Sequence, residues 1–174
     1  DASRLASDDQ YAHRELLDIA HRRGNYSKAY FHMERIYAAF LGDTAFLALA
    51  GDVYFNVGEY DRAIPVVDLG AQLAPGDTRF LALKIMSLYR LGRTVEARTL
   101  GENALASHPA DLRLLTALGT MDIEQDPRST ANERHLLKAL DINPSWVPAL
   151  YQMGRKHKVE GDFADASLYL KRVI

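Results

Sequence analysis

Cysteine is absent from this chain, which removes disulfides, thiolate zinc sites and cysteine nucleophiles while leaving the redox compartment open. Charge of one sign is not in surplus either, since 21 Lys and Arg against 23 Asp and Glu leave a net −2. A nucleic-acid footprint or a polybasic membrane anchor would need a strong basic excess, so neither partner is expected. No apolar run approaches the roughly 20 residues of a membrane span, and direct membrane insertion is not expected. The chain begins at Asp1 without Met and without a signal-like apolar segment, which reads as a piece of a longer protein. What is present has the balance of a soluble globular protein, with 174 residues, 48% hydrophobic and 25% charged, enough for one domain with a sizeable core.

A single period runs through the chain. Gly58 lies 34 residues after Gly24 and 34 before Gly92; the next step reaches Asp126, and Gly161 falls one residue beyond the step after that. Ala29, Ala63 and Ala97 keep the same spacing, as do Gly51, Gly119 and Gly154, with Ala166 and Gly154 shifted by the late slip. Pro75, Pro109 and Pro144 mark the ends of units, and Leu41 stands in the equivalent place of the first. Several residue classes on one ruler are the mark of a repeat architecture.

Each unit has one physical layout. A first helix carries apolar residues at helical spacing, as in Leu47, Ala50, Gly51 and Tyr54. Gly58 then supplies the permissive backbone of a tight helix-to-helix turn. A second helix begins near Tyr60, with Ala63 small enough to let the pair approach, and Pro75 closes the unit because a helix interior tolerates neither its ring nor its missing N–H.

Leu47, Gly51, Tyr54, Gly58, Tyr60, Ala63, Val67 and Pro75, and again Leu150, Met153, Gly154, Gly161, Phe163 and Ala166, form a pattern that resembles the tetratricopeptide repeat (TPR). The resemblance covers nearly the whole chain. It implies an all-α right-handed superhelix of helical hairpins in about five repeats. Residues 1–9 are a lead-in and residues 10–174 one TPR domain, with repeats 10–43, 44–77, 78–111, 112–146 and a partial 147–174. There are departures. Lys84 and Ile85 replace the apolar–small pair, Gly101 replaces a bulky residue, and Pro65 should bend a second helix mildly. The extra residue of the fourth unit is placed in the turn 126–130, with Thr130 and Glu133 expected as a capping box.

In this family the first helices line a concave groove that holds ligands, and the resemblance carries that role onto named positions. They are Leu49, Asp52, Phe55 and Asn56 in the second unit, and Arg79, Leu83, Met86, Tyr89 and Arg90 in the third. Arg113, Thr120 and Glu124 follow in the fourth, and Tyr151 and Arg155 in the fifth. Leu49, Phe55, Leu83, Met86, Tyr89 and Ile123 would form an exposed apolar patch, which marks interaction sites. Arg79, Arg90 and Arg113 would fork onto carboxylates. The implied ligand is a protein or peptide segment with apolar anchors and acidic character. A second reading packs part of this apolar set between adjacent first helices. The family's clamp for acidic chaperone tails is not matched, because Arg14, Asp18 and Leu49 occupy its positions and only Arg79 would suit.

No enzyme is expected. The six histidines show no His-x-x-x-His spacing that would set two imidazoles on one helical face for a metal. Asp162 and Asp165 read as a helix start rather than an acid–base pair, and the glycines follow the repeat rather than a phosphate loop. No cofactor is expected. Trp146 sits at a repeat junction, either as a plug between units or as an exposed hot spot. The expected function is a non-enzymatic interaction scaffold or adaptor. A chaperone for hydrophobic secretion substrates and a regulatory or anchoring module of a larger enzyme or export machine are the alternatives. Self-association through an uncapped C-terminal end is a further expectation.

Overall fold

The computed structural model describes residues 2–173, with side chains from residue 9 onward except at 131. Among the described residues there is no strand, and the chain forms two compact units, Asp1–Leu91 and Gly92–Ile174.

The first unit holds α1 (Ala2–Arg22), α2 (Tyr26–Ile36), α3 (Thr44–Asn56), α4 (Tyr60–Leu73) and α5 (Thr78–Arg90). Residues 2–9, expected as a lead-in, are the opening turns of α1. Neighbours pack in sequence, α1 on α2, α2 on α3, α3 on α4 and α4 on α5, and α3 also touches α5. Leu17, Met33, Phe46, Leu47, Tyr54, Val67 and Phe80 fill the interior. The second unit holds α6 (Thr94–Ser107), α7 (Leu112–Gln125), α8 (Arg134–Ile142), α9 (Val147–Glu160) and α10 (Phe163–Lys171). Here α7 packs against α6, α8 and α9, and α9 against α8 and α10, around Leu115, Leu136, Leu150 and Met153. Among the described residues no helix is long and apolar enough to cross a membrane.

Two local devices set the helix ends. Gly24, Gly58, Gly92 and Gly161 all take a left-handed backbone, with φ between 67° and 86°, where other residues rarely go. At the fourth turn Asp126 replaces glycine and the conformation changes with it, to φ −147°. The chain there runs on through a 3-10 turn, Thr130–Glu133, before α8, so the surplus residue is absorbed in the connection. The expected capping box does not form. No side chain caps that turn, and the Glu133 carboxylate reaches 2.6 Å to Lys156 Nζ instead.

The second device is aspartate. Asp43, Asp77 and Asp111, spaced by 34 residues, each accept backbone N–H bonds at the start of α3, α5 and α7. An acidic cap satisfies otherwise orphaned donors and favours the helix dipole. Pro65 leaves α4 continuous from Tyr60 to Leu73. Lys84, where the repeat has an apolar residue, turns to α4 and bonds Asp68 at 2.7 Å.

Two polar ties hold the second unit. Asp122 of α7, nearly buried, accepts from Arg98 of α6 at 2.8 Å and meets His135 of α8 at 2.7 Å. Burial pushes its carboxyl up, but the hydrogen bonds from His135 and Arg98 outweigh that and hold it below the usual carboxylate range. Lys156 of α9 is buried between Glu133 and Glu160; desolvation pulls its ammonium down, and the two carboxylates overcompensate and raise it.

Candidate partner-binding faces

The residues expected to meet a partner lie on α3, α5, α7 and α9, and the structure sorts them into three kinds. Some are seam residues. Leu49 and Leu83 are partly buried against the first unit's core, and a side-chain carbon of Leu83 comes within 2.9 Å of where a Cβ on Gly51 would sit. Leu83 therefore packs between α3 and α5. Two are interior: Thr120 is 3% exposed and Ile123 4%, and the Thr120 hydroxyl donates to the Thr116 carbonyl at 2.7 Å. As placed, neither is offered to a partner. The reason is that α7 is packed on by three helices, so that its buried positions run almost unbroken from Leu114 to Ile123.

The remainder reach the surface or its edge. Asp52 bonds His21 of α1 at 2.6 Å, Asn56 donates to the Asp52 carbonyl at 2.8 Å, and Phe55 meets Tyr60 edge-on at 5.3 Å. Phe55, Met86 and Tyr89 are partly buried rather than open. The broad exposed apolar patch expected on these helices is thus reduced to partly covered side chains. Arg79 already forks onto Asp77, with Nε 2.9 Å from Oδ2, so it stiffens the start of α5.

What the first helices do present is a repeated pairing of guanidinium with aromatic ring. Arg90 lies over Tyr89 at 5.6 Å on α5, and Arg155 over Tyr151 at 5.9 Å on α9. Arg113 of α7 lies over Trp146 at 6.0 Å. Trp146 is also anchored from below, since its Nε1 donates to Thr116 Oγ1 at 2.9 Å and its ring packs against the second core. It is a plug with one face turned to Arg113. Tyr151 is 49% exposed, and Glu124 stands 3.8 Å from Arg155. Arg155 also donates to Gln152 Oε1 at 3.1 Å, and a ring beside a guanidinium at these distances attracts its charge.

Solved structures of MamA share this arrangement of helices. The structure titled MamA 41-end from Desulfovibrio magneticus RS-1 has a TM-score of 0.59 and 23% identity, covering 95% of this chain and 93% of that one. A MamA RS-1 ArsTM double mutant gives 0.58 and 23% over the same shares. A further MamA crystal structure gives 0.59 at 15% identity over 96% and 91%. The fold is that of a TPR-like helical repeat. No family model and no curated protein matches the chain.

Among the described residues one cluster, His157 with Asp162 and Asp165, gathers potential metal ligands within 4.8 Å. Two of its members are otherwise engaged. Asp162 caps α10 by accepting from the Asp165 N–H at 3.2 Å, and His157 stacks flat on Tyr169 at 5.4 Å. The histidines His13 and His32 meet ring nitrogen to ring nitrogen at 2.8 Å, with no nucleophile beside them among the described contacts.

Proposed function

We propose that this protein is a non-enzymatic interaction scaffold whose first-helix faces hold a segment of a partner protein. The observation that carries the reading is the pairing of exposed arginine with ring within the second unit, Arg113 by Trp146 and Arg155 by Tyr151, and in the first unit Arg90 lies by Tyr89. Arg, Tyr and Trp are the residues that dominate interface energetics, and such pairing offsets in advance part of the ordering cost of a long side chain. The chemistry selects a segment with carboxylates and with apolar or aromatic anchors beside them. The TPR-like fold, built from neighbour-to-neighbour helix packing, supplies the rigid support such faces need.

The chaperone alternative rests on a wide apolar surface, and the partly buried Leu49, Phe55, Leu83, Met86 and Tyr89 lend it little. Capture from source lysate by the wild-type chain, set against the triple variant Arg90→Glu, Arg113→Glu, Arg155→Glu, tests the scaffold reading. The three side chains are exposed, so helicity by circular dichroism should be unchanged while the captured partner is lost. Equal capture by both proteins would move the interface elsewhere and sink the reading.

A further inference from the structure

The α1–α2 hairpin carries a second surface of a different make. A cleft of about 480 Å³ opens between these helices, lined by Leu16, Ile19, Ala20, Arg23, Lys28 and Phe31 among others. The side chains about it form two stripes at the same helical spacing, Leu16, Ile19 and Ala20 on α1 continued by Arg23 in the turn just after it, and Lys28, Phe31 and His32 on α2 continued beyond the cleft by Arg35. A run at i, i+3, i+4 and i+7 is the pattern by which a helix meets another element. On α2 this stripe is out of phase with the buried one, Ala29, Met33 and Ile36, which faces the core.

Among the described residues these side chains are only about half covered. Leu16 is 45% exposed, Ile19 41% and Phe31 49%, while Ala20, at 7%, forms the floor. Scattered exposed apolar residues are ordinary; contiguous ones in a cleft mark interaction sites. The cations are likewise unmatched. The side chains of Arg23 and Lys28 form no hydrogen bond or ion pair among the described residues. Arg35 lies 3.4 Å over the Phe31 ring and donates only to the Phe31 carbonyl. Burial above all, and then His13 and the nearby Arg35 and Lys28, hold His32 below its ordinary value.

We propose that this cleft is a second docking site, one that takes an acidic amphipathic helix from a partner protein. Apolar anchors of the incoming helix would seat on Leu16, Ile19 and Phe31, and carboxylates on its flank would reach Arg23 and Lys28. The two stripes each run about 11 Å, or about two turns, so an occupant presenting two turns of apolar anchors within a helix of three to four turns matches them. A flat bilayer does not reach the recessed Ala20, which argues for a helix over a membrane surface.

The test uses the full chain and a synthetic helical peptide of about 14 residues, with Leu and Phe at i, i+3, i+4 and i+7 and Glu on both flanks. A twin peptide carries Lys in place of Glu. The expected result is saturable binding of the Glu peptide by fluorescence anisotropy, at least tenfold tighter than the twin. The variant Arg23→Glu/Lys28→Glu should reverse that preference, and amide shifts should fall on residues 16–35. Equal binding of both peptides, binding of neither, or shifts on α5, α7 or α9 instead would overturn the proposal. So would a wild-type mass that rises with concentration while the Arg23→Glu/Lys28→Glu protein stays monomeric, because a second copy would then be the occupant.

Discussion

At the scale of single residues, the second unit depends on charges that have been taken out of water and matched. Asp122 joins α6, α7 and α8 through Arg98 and His135. Its carboxyl binds a proton more weakly in the folded chain than in the unfolded one. The stability it adds is therefore fully present above the ordinary carboxylate value near 4 and is lost as pH falls through the depressed folded value. Asp122→Asn should cost about 2 kcal/mol at pH 7, since it weakens hydrogen bonds to charged groups. It should also flatten the fall in unfolding midpoint between pH 4 and pH 2, and thermal melts across that range would show it. An unchanged acid slope would mean that other carboxylates set the acid limit.

At the scale of elements, a glycine with no room for a side chain, Gly70, lies where α4 meets α5. A Cβ on Gly70 would overlap the Phe80 ring, an overlap only displacement of the ring can relieve. Gly70→Ala should then destabilise by about 1–3 kcal/mol through overpacking, and Phe80→Leu in the same chain should recover part of that loss, both read from denaturant unfolding. This contact was not legible in advance, because Gly70 lies off the residues that carry the repeat and the sequence does not say which ring meets it. The turns were legible, since Gly24, Gly58, Gly92 and Gly161 sit where the backbone demands φ above zero. The aspartate caps Asp43, Asp77 and Asp111 keep the same period as the turn glycines. The partner faces were legible only in part. Helical phase assigned Thr120 and Ile123 to a surface that packing closes, and Leu83 to one that packing partly covers. It could not foresee that α7 has helices on three sides, nor that Arg79 would be taken by its neighbour Asp77. The Arg–aromatic pairs were written in the spacing, one residue apart in Tyr89 and Arg90 and four apart in Tyr151 and Arg155. The third pair, Arg113 with Trp146, joins residues 33 apart and needed the fold.

At the scale of the molecule, the fold is kept by MamA structures at 15–23% identity, which is what a chain held by neighbour contacts permits: each helix has only its own few partners to satisfy. The same locality confines damage, and it singles out one connection. Between α7 and α8 the repeat has lost its glycine, gained a residue and exchanged a tight turn for a 3-10 segment. The immediate stretch 126–130 is largely at the surface. A graft there, such as a short Gly/Ser segment after Arg128, should leave the thermal midpoint within a few degrees. The same graft after Gly58, whose left-handed backbone sets the α3–α4 turn, should lower it steeply. The irregular turn is therefore the chain's natural port for a label or a tether.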